Sequence, residues 1–492
     1  MDDYIGNPST NKTTTTGTFP SPFYDYKNNY MSKNCSNTRH NNNCRKTRQN
    51  NNSDINFSTE IHFAASFMRG RRKTQEDAVI IEKNLFPRDN DANEKATSSS
   101  QGVCSCHAMF GVFDGHGTSF ASNYAAENFT SIFCEQPSFL EYFQKNLDHN
   151  GGWIGDSITQ EKMPLKIEGK TKKARMRSKS EKVSIAKEQS GSFKLSHLLD
   201  TAIQQTFIEL DARMLRELMT ITKQIKAETQ QENRGNSPAS NYTASSALFD
   251  VSESGTTAII ILLTPDDIIC ANLGDSRAIL CRSSSNGPNE NSKRNNTVIP
   301  LSSDHKPCNE AEKARIEAAG GVILGGKIEG RLAVSRALGD FDFKDIDSVH
   351  FAAGPQKNED CNVISEFGGN TICSDEQKGA MKFIHPNDQM VSCIPEVTVI
   401  QRDKTKDQYL VVACDGIWDV LSNEGCEQVI STVFHEGERD VGLVCEELLD
   451  ECFAKGSLDN LAATILRFPA QEIGVGGGVR KRRKQRLHKK AR

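Results

Sequence analysis

Ala108-Met109-Phe110-Gly111-Val112-Phe113 runs straight into Asp114-Gly115-His116-Gly117. The first six residues are an apolar run of strand length, and the next four are polar or glycine. The segment therefore reads as a strand ending abruptly in a turn that can expose backbone carbonyls. Asp114 is thereby delivered to a strand edge. Upstream, residues 61–68 (IHFAASFM) alternate as a strand, 69–77 (RGRRKTQED) form a charged loop, and 78–81 (AVII) resume a strand. Downstream, 118–146 carry helical spacing through Phe120, Tyr124, Phe129, Ile132 and Phe133. Residues 195–225 repeat that spacing with Leu198, Leu199, Ile203, Phe207, Leu210, Leu215 and Leu218, so two helices are expected to pack side by side.

From Ser254 the period changes to that of strands. SGTTAIIILL, a TPDD turn, IICANL, a GDSR turn and AILC read as an up-and-down set. Asn309-Glu310-Ala311-Glu312 reads as a helix start with a capping-box glutamate, and Gly320-Gly321 as its stop. Strands return at 397–400 and 409–414, the latter running into Asp415-Gly416. A helix over 441–455 and a strand over 461–468, just after Asp459-Asn460, complete the pattern.

The rest of the chain is polar. Residues 1–57 are rich in Asn, Thr and Ser and are expected to be disordered, because they cannot bury enough apolar surface to offset ordering entropy. Stretches at about 148–192, with a basic block from Lys166 to Lys187, and 345–390 read as insertions into a domain spanning 58–468. Residues 480–492 (RKRRKQRLHKKAR), from Arg480 to Arg492, follow a glycine-rich spacer. They read as the exposed end of a flexible basic tail over 469–492, with a nuclear import receptor as the expected partner. A net charge of -4 gives no global field for DNA or anionic membranes. The 15 scattered cysteines, with only Cys104 and Cys106 close together, read as reduced thiols, and no apolar run is long enough to span a bilayer. A soluble intracellular protein of nucleus or cytoplasm is expected, with no nucleic acid at the active site.

Asp114, Asp415 and Asp459 each stand at a strand end beside a small or turn-forming residue, Gly115, Gly416 or Asn460. A single aspartate at a turn is ordinary. Gathered carboxylates repel unless a cation neutralises them, and all-oxygen ligation favours Mg2+ or Mn2+ over zinc.

The ordered set RGRRKTQEDA, FGVFDGHG, SGTTA, NLGDSRA, DHKP, EAAGG, LAVSRALGDFDFK, IPEV, VVACDGIWDVLS and DNLAATI resembles the protein phosphatase 2C family over roughly 61–468. The resemblance implies an α+β fold, a central β-sandwich of two antiparallel sheets flanked by helices, with a binuclear Mg2+ or Mn2+ site at one end. It implies hydrolysis of phosphoserine and phosphothreonine in phosphoprotein substrates by direct attack of a metal-bridging water or hydroxide. By the same resemblance Asp114 bridges the two ions and the Gly115 carbonyl binds one. Asp415 and Asp459 bind the other, and Glu76 and Asp77 hold metal waters. Arg72 matches the phosphate-binding arginine and His116 the general acid, while Asp275 with Asp415 matches positions of a weaker third metal. Arg336 and Asp340 read as a structural ion pair outside the catalytic set. Arg71 departs from the family pattern, standing where an aromatic residue is often found. Two other functions fit the same chemistry: a phosphatase-like binding module without catalysis, and a metal-dependent phosphodiesterase or nuclease.

Overall fold

The computed structural model of the chain describes residues 61–82, 85, 107–149, 193–232, 253–284, 296–352 and 383–490. In chain order its strands begin with β1 (His62–Met68), β2 (Ala78–Glu82), β3 (Ala108–Phe113), β4 (Gly115–His116) and β5 (Gly255–Thr256). They continue with β6 (Ala258–Leu263), β7 (Asp267–Leu273), β8 (Arg277–Ser283), β9 (Asn296–Pro300), β10 (Ile323–Leu324) and β11 (Lys327–Ile328). The last are β12 (Leu338–Gly339), β13 (Glu396–Gln401), β14 (Asp407–Ala413) and β15 (Leu461–Arg467). The described helices are α1 (Phe120–Glu135), α2 (Pro137–His149), α3 (Phe193–Glu232), α4 (Glu310–Ala318), α5 (Ile346–Ala352), α6 (Asp415–Trp418), α7 (Asn423–His435), α8 (Val441–Ala454) and α9 (Gly478–Lys490).

Two five-stranded antiparallel sheets, ordered β13-β7-β6-β3-β2 and β1-β15-β14-β8-β9, pack face to face. Alternation along the strands decides which residues meet. Phe110, Val112, Ile259 and Ile261 of the first sheet join Leu280, Leu410, Val412 and Leu466 of the second in a shared core. The other face of the first sheet carries Met109, Phe113, Ile260 and Leu262 against Phe129, Phe133 and Phe207 of α1 and α3. The other face of the second carries Val411, Ala413 and Ile465 against Ile430, Phe434 and Leu448 of α7 and α8. Because each sheet is covered on both faces, AIIILL is apolar throughout, each fully buried side chain contributing about 1.5–3 kcal/mol. The expected α+β sandwich with flanking helices is therefore the fold.

Several local expectations fail. The helical spacing of 118–146 is divided between α1 and α2, because Gln136, at ψ 131°, is pushed to extended backbone by Pro137. β7 and β8 are not a hairpin: the chain crosses from one sheet to the other at Gly274-Asp275-Ser276, so the up-and-down reading ends there. Glu312 caps nothing. It is buried and accepts from Arg336 at 2.6 Å, Ser335 Oγ at 2.6 Å and Arg315 at 2.8 Å. Burial opposes its ionisation, but those donors and the two guanidinium charges win and hold its pKa at about 2. Arg336 therefore pairs with Glu312 and not with Asp340.

The span read as an insertion from 345 opens with α5, whose Val349 is buried, and Ser348 Oγ accepts from the Ile384 amide at 2.9 Å. Residues 353–382, the insertion beyond His149 through 192, Cys104, Cys106 and the segment 1–57 lie outside the described residues.

The basic tail read as flexible is, over Gly478–Lys490, a helix laid on the domain. Val479 is buried, and Arg482, Arg483 and Arg486 converge on the buried Glu447 of α8 at 3.5, 3.0 and 3.0 Å. Helical spacing puts those three arginines and Val479 on one face, and the carboxylates of α8 supply what that face needs. No described helix is long and apolar enough to cross a membrane.

Candidate active site

The turn after β3 meets two others at one end of the sandwich. Asp114 ends β3, Asp415 follows β14 and opens α6, and Asp459 precedes β15. The three are brought together because β3, β14 and β15 are central strands of the two facing sheets. Gly416 permits the convergence. A Cβ there would stand 2.0 Å from the Asn460 carbonyl oxygen, so any side chain would push the two aspartate turns apart.

Asn460 clamps the charged loop onto the same end. Its Nδ2 donates to the carbonyls of Arg69 and Thr74 at 2.8 and 2.9 Å, and its Oδ1 accepts from the Glu76 amide at 2.9 Å. That clamp sets the positions of Arg72, Glu76 and Asp77. The Glu76 carboxylate accepts from Thr74 Oγ1 at 2.5 Å, and Arg72 donates to Asp459 Oδ2 at 2.5 Å.

Asp77, Asp114 and Cys414 bring one ligand atom each within 4.8 Å of one another. Neither carboxylate oxygen of Asp77 has a conventional hydrogen-bond partner, although both are buried. Burial, reinforced by the charges of Asp459 and Asp415, pushes Asp77 up to about 7. Burial and the charges of Asp114, Asp275 and Asp459 push Asp415 up to about 10. Asp114 is pushed well above the carboxylate range by burial and by Asp77, Asp275 and Asp459. A divalent cation would supply the compensation these groups lack. The Cys414 thiol is itself pushed up by burial and the neighbouring aspartates, and its sulfur accepts from the Ala462 amide at 3.1 Å. It is a packed thiol, so the anionic donors are oxygens, and the set fits Mg2+ or Mn2+.

Asp275 sits on the crossover between the sheets, nearly buried, with Lys306 Nζ bonded to its Oδ2. That ion pair gives it a countercharge of its own.

His116 follows Asp114 by two residues, in a small sheet ordered β12-β5-β4. β5 pairs Gly255 with His116 on one side and with Gly339 on the other. Gly255 has to be glycine: a Cβ there would stand 2.3 Å from Asp340 Oδ2 and 2.4 Å from His116 Nε2. Across that gap His116 Nε2 bonds both oxygens of Asp340 at 2.9 Å. Burial works against the imidazolium, but the Asp340 charge and hydrogen bond outweigh it and raise the His116 pKa.

Three contributors escape a sequence reading: Asp340, Asn460 and Gly255. Their partners are 224, 384 and 139 positions away for the first two and for Gly255 with His116, respectively. For Gly255 the available signal was a glycine at the start of a strand pattern; Asp340 offered none, since its left-handed backbone, φ 51°, shows only in the fold.

The family model described as Protein phosphatase 2C matches residues 157–461, which include Asp275, Asp340, Asp415 and Asp459. Bovine Protein phosphatase 1A is 38% identical over 217 residues, 44% of this chain and 44% of that protein. The chain thus spans less than half the length of that relative. Protein phosphatase ppm-1.A of Caenorhabditis elegans is 28% identical over 410 residues, 83% of this chain and 60% of that one. A solved serine-threonine phosphatase 2C from Toxoplasma gondii shares the fold with a TM-score of 0.50 and 18% identity, over 83% of this chain and 95% of that one.

Proposed function

We propose that this chain, which belongs to the protein phosphatase 2C family, hydrolyses phosphoserine and phosphothreonine side chains of other proteins with the help of two divalent cations, Mg2+ or Mn2+. The observation that carries the reading is the half-buried group Asp77, Asp114 and Asp415, each with its pKa raised by desolvation and by neighbouring carboxylates. Asp114, the Gly115 carbonyl, Asp415, Asp459 and Asp77 would hold the ions, with Glu76 beside them. Bound there, the cations would neutralise phosphate charge and make water a nucleophile at neutral pH.

The protein's own groups do the rest. Arg72 presents a planar donor fork that suits two phosphate oxygens, and its bond to Asp459 fixes it beside the carboxylate group. With Nε2 engaged by Asp340, Nδ1 is the ring nitrogen left to hand a proton to the departing serine or threonine oxygen. The leaving alkoxide is strongly basic, so the proton lowers the barrier where it is highest. Asp340 acts through His116 as a positioning residue.

A phosphodiesterase could use the same cations, but it would need cations tracking a nucleic-acid backbone. The arginines of α9 do not supply such a track, since Arg482, Arg483 and Arg486 are engaged by Glu447 of α8, and Arg482 also by Glu436 just past α7. The test offers a phosphothreonine peptide and single-stranded DNA side by side, in Mn2+ and after chelation. Peptide hydrolysis that needs Mn2+, with DNA left intact, is expected. DNA cleavage without peptide hydrolysis would make the chain a nuclease, and no turnover of either would leave a binding module.

A further inference from the structure

Arg69, Arg71, Arg72 and Lys73 put four exposed cations into five residues. Arg72 is bonded to Asp459. Among the described residues, Arg69, Arg71 and Lys73 have no carboxylate within ion-pair distance, although other exposed cations of the fold do, Lys145, Lys313 and Arg331 among them. Like charges set this close repel, and within the described fold the Arg72 pair with Asp459 is the one carboxylate contact that offsets it.

The loop is also held in place. Asn460 grips it at the carbonyls of Arg69 and Thr74. The Arg71 guanidinium lies 4.9 Å from the Phe453 ring centroid, and its Nη1 reaches the Gly456 carbonyl at 3.4 Å. Arg71 is thereby laid over the segment that leads from α8 to Asp459. A clamped row of unneutralised cations next to the phosphate-facing arginine is preorganised for anions that arrive with the substrate.

We propose that Arg69, Arg71 and Lys73 form a cationic rim that selects phosphosites flanked by acidic residues. The inference rests on the phosphatase reading above and adds its substrate class. An extended peptide advances about 3.3 Å per residue, so carboxylates one to three positions from the phosphoresidue fall within reach of side chains anchored beside Arg72. Contact at the rim of the cleft strengthens association and leaves the chemical step alone, so the effect belongs in KM.

The experiment uses the full chain with Mn2+ and three phosphothreonine peptides identical except for glutamate, alanine or lysine at the flanking positions. The expected order of kcat/KM is glutamate, alanine, lysine, with about tenfold between the extremes at low salt. Raising the salt from about 0.05 M to about 0.5 M shrinks the spread, since the Debye length falls below the separations involved. In Arg69→Gln/Arg71→Gln/Lys73→Gln the spread collapses through KM, while p-nitrophenyl phosphate turnover and kcat on the alanine peptide stay near wild type. Arg71→Lys keeps the charge and keeps the preference. Should the triple variant lose p-nitrophenyl phosphate turnover as well, Arg69→Gln/Lys73→Gln decides, because it leaves the contacts of Arg71 with Phe453 and Gly456 intact. A wild-type enzyme that turns over all three peptides equally, or variants that keep the full preference, would overturn the rim. A wild-type protein that hydrolyses none of the peptides fails at the phosphatase reading instead.

Discussion

Asp114→Asn is expected to lower kcat/KM on a phosphothreonine peptide by about a thousandfold at saturating Mn2+, since loss of a mere outer partner of a metal ligand already costs 10- to 100-fold. The replacement is isosteric. It removes an anionic oxygen from the centre of a group in which Asp77, Asp275 and Asp459 all act electrostatically on Asp114. The fold should survive, because without cations the carboxylates there repel one another and one charge fewer relieves them. The Asp114 carbonyl still accepts from the Thr257 amide and Thr256 Oγ1, each at 3.0 Å, so the turn is held by contacts the substitution leaves alone. Circular dichroism should therefore match wild type while turnover disappears. Turnover within a fewfold of wild type would remove Asp114 from the centre.

His116→Gln separates acid catalysis from general damage through the leaving group. On a phosphoserine peptide the loss should be about a hundredfold, the ordinary contribution of a general acid. On p-nitrophenyl phosphate, whose phenolate departs without a proton, most of that loss should vanish. Asp340→Asn leaves the imidazole in place but replaces one of the two oxygens that hold Nε2 at 2.9 Å. It should show the same dependence on leaving group with smaller amplitude. Equal losses on both substrates would reassign His116 to placing the phosphate.

The sandwich was legible because its strands announce themselves locally: AMFGVF and AIIILL are apolar runs of strand length, and their ends are marked by Asp-Gly or Thr-Pro turns. The aspartates at those ends could be named for the same reason. Contacts across the chain could not be read from any window of sequence. Asp340 looked like a partner for nearby Arg336, yet the β12-β5-β4 sheet carries it to His116 and leaves Arg336 to Glu312. Glu312 satisfied a capping pattern, but two guanidinium groups offered its carboxylate more than a backbone amide could. The tail RKRRKQRLHKKAR had no apolar stripe to signal docking. Its fastening to Glu447 depends on a carboxylate presented by another helix, together with a single buried valine. What sequence hides here is pairing between charges, which carries no periodicity.

The central claim is that the carboxylate group at the sandwich end exists to hold divalent cations, and thermal unfolding against Mn2+ concentration tests it without reference to any substrate. The wild-type midpoint should climb with the logarithm of Mn2+ concentration, by the equivalent of about 2.7 kcal/mol at one hundred times the dissociation constant. Asp114→Asn should start at or above the wild-type midpoint in chelator and climb little. Identical climbs in the two proteins, or a wild-type midpoint indifferent to Mn2+, would contradict the account.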